Sequence, residues 1–429
     1  MQITREKLSV TPAASVEGQK GGLLRTFSAL QHRNFRLFWF GQFISLIGTW
    51  MQSTGQAWLV LQLTGSAWAL GAVGALQFLP VLVFTLFGGV LADRLPKRNV
   101  LLFTQSFAAL QAFMLWLLIA THTVQLWHLF VLAAMLGLTN AFDMPTRQAF
   151  VVEMVGRKDL PNAIALNSSS FNMARIVGPG IAGLVIAWFG EAPLFLSNAI
   201  SFIPVIAGLV LIDSGKLFTQ SGKIVGSEQG VFKSLREGFT YIRRTPAVFL
   251  IIAIVGLISL FGINFNVTLP LMATEVLKVG PEGFGLISSA FGFGALGAAL
   301  WLAWGNKKPG IRQMLLGALA FGALETLFAL AHWYPLSIAL VTLVGFAQIA
   351  FTAVANSTLQ LVTPDHLRGR IMSVYMLVFA GSVPIGNLFT GGLASNFGAT
   401  VALLAGAGIS LLTAIAGWLL RARAERNPS

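Results

Sequence analysis

Two carboxylates sit inside long apolar stretches of this 429-residue chain, and their surroundings differ. Asp143 has Arg147 one helical turn away, so an ion pair along one helix face is available. Arg175 is a second candidate partner. A paired Asp143 stays charged and structural, and only release from its partners lets it carry a proton. Glu325 stands in mid-stretch with no basic residue in sequence reach, suited equally to packing as a neutral acid or to proton coupling. Uncharged polar residues form stripes as well. Gln42, Ser45, Thr49, Gln52 and Gln56 recur at steps of three and four, which places them on one helical face. Gln348, Thr352, Asn356 and Gln360 stand four apart; Asn140 precedes Asp143, and Ser259, Asn264 and Asn266 share a further stretch. Such residues either line a cavity or hold neighbouring helices together by hydrogen bonds.

Enzyme chemistry finds no footing. There is no Gly-x-x-x-x-Gly-Lys-Ser/Thr loop to cradle a nucleotide. The histidines at 32, 122, 128, 332 and 366 do not cluster with acids at metal-ligand spacing, and the chain has no cysteine. No catalytic residue, metal or cofactor is expected.

The elements that hold these residues are helices in lipid. The chain is 55% hydrophobic and only 10% charged, with a mean hydropathy of +0.77. A soluble protein carries about 25% charged residues, so this one lacks the polar surface to cover itself in water. A helix crosses the hydrocarbon core with about 20 apolar residues. Twelve such segments are predicted: 37–61, 67–92, 99–120, 126–150, 163–188, 193–212, 247–272, 283–304, 311–331, 336–361, 371–395 and 399–420, numbered here as spans 1 to 12. In this twelve-span order all of the 28 lysines and arginines except Lys278 fall on one face. Basic loops stay in the cytoplasm, so both termini are expected inside, and the net charge of +13 is a topology signal, not a nucleic-acid footprint. Residues 1–36 lack the apolar region of a secretory signal and read as a cytoplasmic tail, with Leu23, Leu24, Phe27 and Leu30 forming a weak amphipathic run.

Six spans (37–212) precede and six (247–420) follow a linker, 213–246; residues 421–429 form a second tail. In the linker Phe232, Leu235, Phe239 and Ile242 share one helical face, which predicts an amphipathic strap under the bilayer. The halves echo each other. Glu153–Leu160 matches Gln360–Leu367 at an offset of 207, Phe189-Gly190 matches Phe397-Gly398, and Lys97-Arg98 matches Lys307-Lys308. Two parallel six-helix repeats around a midplane site are a transporter architecture.

The loop after span 2, Gly89-Val-Leu-Ala-Asp93-Arg94-Leu-Pro-Lys97-Arg98, resembles the signature loop of the major facilitator superfamily, with Pro96 in place of a glycine. Span 5 carries Gly178-Pro179-Gly180-Ile-Ala-Gly183, similar to the glycine–proline motif of its antiporters. Arg33-Asn-Phe-Arg-Leu-Phe-Trp39, Phe142-Asp-Met-Pro-Thr-Arg147 and Pro364-Asp-His-Leu-Arg-Gly-Arg370 look like the branch of the enterobactin exporter and related secretion effectors. The resemblance covers about residues 30–420 and implies an all-α membrane protein with twelve transmembrane helices in two six-helix pseudo-repeats. It implies that Asp93, Arg94, Lys97 and Arg98 latch the cytoplasmic gate, with basic partners for acids across the seam between the halves. Spans 1, 4, 7 and 10 would line the central cavity, so Gln52, Gln56, Asn140, Asn264, Asn266, Asn356 and Gln360 become candidate substrate contacts. Asp143, Arg147, Arg175 and Glu325 become candidates for proton coupling or a charge network, and Gly178, Pro179 and Gly183 an antiporter-type motif. The expected activity is secondary active export from the bacterial inner membrane. The cargo would be a small amphipathic molecule, a siderophore such as enterobactin or a drug-like compound, moved by proton antiport with alternating access. A lysophospholipid flippase is the alternative, and a non-transporting sensor the third. Partners are the substrate, protons and lipid; a monomer is expected, and no nucleic acid.

Overall fold

The computed structural model describes residues 27–218, 231–305 and 309–426. Leu23, Leu24, Lys307, Lys308 and the last three residues of the C-terminal tail lie outside them. Among the described residues ten helices are by themselves long and apolar enough to cross a membrane. The longest, Leu126–Phe189, holds two spans. At 1.5 Å per residue its 64 residues would reach about 96 Å, some three times the hydrocarbon core. It breaks at Gly156, where φ 70° and ψ 175° form a backbone state that only glycine adopts freely. Beyond the break the chain doubles back: Leu132 and Ala182 share one buried cluster, Met154 and Leu166 another. The turn lies five residues before Pro161, which continues the second arm as helix. Arg33–Thr64, which contains span 1, has the length to cross, and its polar stripe lowers its hydropathy.

Span 7 departs from expectation. The predicted continuous segment 247–272 is Pro246–Phe261, a break at Gly262–Asn264, then Phe265–Leu271 and a π-helical turn at Met272–Val276. A glycine, an asparagine and then Pro270 in the short second helix weaken the backbone ladder there. The repeat is visible in the backbone. Gly190 and Gly398 end spans 5 and 11 at φ 79° and 84°, and the break at Gly156 has its counterpart at Thr363, where Tyr334–Val362 ends.

The halves meet mainly through two helix pairs, span 2 on span 11 and span 5 on span 8. In lipid the hydrophobic effect does not hold helices together, and small residues that admit close contact do. A Cβ built on Gly71 would clash with the Asn387 carbonyl oxygen. At the Lys278 end the apolar core is continuous across both halves, from Trp58, Leu70 and Val73 to Phe284, Phe291 and Leu403. At the basic end the first half keeps a separate core of its own around Phe35, Phe38, Phe150 and Phe202. The linker helix Val231–Arg244 straps the second half: Glu237 pairs with Arg370, Gly238 lies against the Arg370 carbonyl and Ile242 is buried. Phe239 is exposed, and the side chains of Phe232 and Leu235 lie outside the described ones.

Candidate functional site

Most of the span 1 stripe faces span 6 and not a cavity. Gly41, Gly48 and Gly55, seven apart, notch that face; a Cβ on Gly41 would stand 2.6 Å from the Val205 Cα, and one on Gly48 2.5 Å from Asn198 Oδ1. Gln42, Ser45 and Gln52 are therefore buried in the interior of the first half. The Gln52 amide donates to Gln111 Oε1 (3.0 Å) and accepts from Asn198 Nδ2 (2.7 Å), tying spans 1, 3 and 6. Gln52 is thus an internal strut, since both sides of its amide are used by neighbouring helices.

A pocket does open on the adjacent face of span 1. Trp50, Ser53, Thr54, Gln56 and Ala57 form its wall, opposed by Gln77 of span 2, Arg175 and Pro179 of span 5, Phe265 and Asn266 beyond the span 7 break, and Phe284, Ser288 and Phe291 of span 8. It lies on the seam and is built by both halves. Of the seven predicted contacts, Gln56 and Asn266 border it. Asn264 packs against Gly386 of span 11, its amide donating to the Leu260 carbonyl. None of the pocket residues comes from span 4 or span 10, against expectation. Asn140 is half-buried on span 4, and Asn356 and Gln360 hydrogen-bond each other at 2.6 Å on span 10. Periodicity shows which residues share a face, but not which neighbour that face meets.

The charged candidates separate into three places. Asp143 is buried and fully engaged: Thr104 Oγ1 (2.8 Å) and Gln105 Nε2 (2.7 Å) donate to one carboxylate oxygen, and Arg147 pairs with the other. Arg175 is not a member of this network. Span 3 supplies the partners instead, and the Arg175 guanidinium lies in the pocket, 6.0 Å from the Trp50 ring centre and 5.0 Å from that of Phe291. Glu325 is 1% exposed within span 9, and its Oε2 has no hydrogen-bond partner among the described residues.

The four gate residues do not come together either. Lys97 pairs with Glu153 at 2.7 Å within the first half. Arg98 donates to the Leu209 (2.7 Å) and Val210 (2.6 Å) carbonyls that end span 6. A cation there satisfies orphan carbonyls and opposes the negative end of the helix dipole, so both basic residues act inside one half and not across the seam. Asp93 and Arg94 are exposed. The ion pairs among the described residues stay within one half, lie within the linker, or tie the linker helix to the second half.

The glycine–proline motif works on two sides of span 5. A Cβ on Gly178 would stand 2.6 Å from Trp50 Cβ of span 1, and one on Gly183 2.5 Å from the Pro281 carbonyl of span 8, while Pro179 borders the pocket. The motif thus builds both the first half and the seam.

A seam pocket between two helical repeats is the geometry of a transporter, and the sequence profile of the transmembrane secretion effector family matches residues 24–427. The chain belongs to that family. The family is a branch of the major facilitator superfamily, and this chain is a transporter and not an enzyme. It is 29% identical over 357 residues to the multidrug efflux pump Tap of Mycolicibacterium fortuitum, covering 81% of this chain and 86% of that one. It is 26% identical to the staphyloferrin A transporter of Staphylococcus aureus, covering 85% of this chain and 90% of that one. The solved structure of a D323A variant of the nucleoside transporter NupG shares the fold with a TM-score of 0.69 at 14% identity, over 92% of this chain and 99% of that one. The secretion effector is a multi-pass protein of a bacterial membrane.

Proposed function

We propose that this secretion effector is an efflux transporter of the inner membrane, exporting a small amphipathic molecule in exchange for protons. Its bundles, 37–212 and 247–420, would rock about the seam as a monomer, with both termini cytoplasmic. The observation that carries this reading is the pocket on the seam, joined to a core that crosses the halves only at the Lys278 end. That asymmetry is the arrangement expected of a conformer open toward the cytoplasm. Asp93 and Arg94 would latch only in the opposite conformer, where Asp93 can reach the N-terminus of span 11.

Coupling is assigned to the Asp143–Arg147 pair. Arg147 keeps 22% of its side chain exposed, so the pair is open at its edge, whereas Glu325 is enclosed. The similarity to Tap and to the staphyloferrin A transporter supports a drug-like compound or a siderophore as cargo. Proteoliposomes with an imposed pH gradient test the proposal: labelled candidates should move uphill with the gradient and stop with a protonophore. Movement of lysophospholipid alone, indifferent to the gradient, would replace efflux with lipid flipping. Cysteines at Lys278 and Arg33 test orientation, since an impermeant thiol reagent applied to intact cells should label only the first.

A further inference from the structure

We propose that the seam pocket is built for an organic anion, with Arg175 as the residue that receives its carboxylate or equivalent group. This rests on the transporter reading of the same pocket and adds the charge of what enters it.

Three observations converge. Arg175 has no acidic partner within 4 Å among the described residues, although a guanidinium within a membrane span is costly without one. The pocket wall contains no aspartate or glutamate, so nothing inside it neutralises that cation. Its near neighbours are ring faces, Trp50 at 6.0 Å and Phe291 at 5.0 Å, which offset part of the desolvation and leave the planar donor edge available. The second polar group is independent of the first. Gln56, 3% exposed and on the same wall, has a buried amide nitrogen with no hydrogen-bond partner among the described residues. A buried donor left unpaired is a stored preference for an acceptor. Guanidinium and carboxylate match as a two-bond fork, and the Gln56 amide N–H, turned into the pocket, would add a third donor. Phe265 and Phe284 supply apolar surface for the rest of the molecule. The site therefore fits an amphipathic anion, with an aromatic or aliphatic body and one acidic group, and opposes a cationic amine of the same size.

Two dansyl probes of similar bulk and opposite charge decide the matter: dansylglycine, an anion, and dansylcadaverine, a cation. Binding is followed by dansyl fluorescence on the full-length purified transporter in lipid nanodiscs. The wild type should bind dansylglycine at least tenfold more tightly than dansylcadaverine. Arg175→Gln should lose at least tenfold of the dansylglycine affinity and leave dansylcadaverine within twofold, Arg175→Lys should recover part of the loss, and Gln56→Leu should weaken dansylglycine by a smaller factor. Size-exclusion profiles and thermal unfolding of each variant report folding; if Arg175→Gln does not fold, Arg175→Lys and Gln56→Leu carry the test. Equal or better binding of the cation by wild type, no specific binding of either probe, or an anion preference unchanged in Arg175→Gln overturns the proposal. Anion-selective binding without gradient-driven movement of dansylglycine in proteoliposomes would leave the anion site standing and sink proton-coupled export instead. Gradient-driven export of cationic drugs that ignores Arg175→Gln would do the reverse.

Discussion

Gly183 of span 5 and Gly285 of span 8 touch across the seam: a Cβ built on Gly285 would stand 3.0 Å from the Gly183 Cα and 2.5 Å from the Pro179 carbonyl oxygen. Both contacts are backbone, so no side-chain rotation relieves them. Gly285→Val should prevent the Lys278 end from closing and hold the transporter open on that side. Export should fall at least tenfold at normal membrane levels, while a cysteine at Ser288 in the pocket becomes reactive to an impermeant reagent from the Lys278 side. Normal export by Gly285→Val would show that this contact need not form during the cycle.

Asp143 and Glu325 make opposite predictions for coupling. Asp143 is held by Thr104, Gln105 and Arg147, and its protonation would break the pair with Arg147. Asp143→Asn should abolish uphill export and spare downhill exchange, whereas Glu325→Gln should retain at least half of the gradient-driven rate. Both variants are measured in the same vesicles with and without the gradient; selective uncoupling by Glu325→Gln alone would reverse the assignment.

The fold was legible because lipid imposes a simple code. Apolar blocks of fixed length and basic loops on one face follow from the bilayer, and the break at Gly156 and its counterpart at Thr363 sit at the 207-residue offset of the sequence repeat. The site was less legible. Gln52 and Gln56 lie four residues apart on one stripe, yet one braces the interior and the other borders the pocket, because the notches at Gly41, Gly48 and Gly55 draw span 6 over most of that face. The seven-residue spacing of those glycines was the signal that could have shown it. Arg175 had no such signal, since its position over Trp50 and Phe291 depends on three helices from two halves.

Gly156 turns the chain between spans 4 and 5, and its φ of 70° is strained for any L side chain. Gly156→Ala should cost about 1–3 kcal/mol and lower the midpoint of thermal unfolding in detergent. Gly89 is the control: it is helical, with nothing within 4 Å of a built Cβ, and Gly89→Ala should be neutral or stabilising by up to about 1 kcal/mol. Similar midpoints for the two variants would remove the turn from the account of why the chain doubles back.

Asp159 links the same turn to the start of span 1. Its carboxylate accepts from His32 Nε2 (2.9 Å) and Ser28 Oγ (2.9 Å), and next to it Asn162 Oδ1 accepts the Ala29 amide (2.9 Å). The His32 hydrogen bond, followed by that from Ser28, holds the Asp159 carboxyl below its ordinary value of 3.8. The folded protein therefore favours the ionised acid more than the unfolded chain does. The stabilisation is fully present above that ordinary value and is lost as the pH falls through the lower folded one. Asp159→Asn should accordingly unfold at a lower temperature than wild type at pH 7. The difference should persist down to about pH 5 and narrow only on further acidification, as the wild-type carboxylate takes up its proton. Thermal unfolding of both proteins in detergent across pH 3 to 7 measures this directly. A gap that stays constant to the lowest pH would mean that Asp159 acts through its shape and hydrogen bonds and not through its charge.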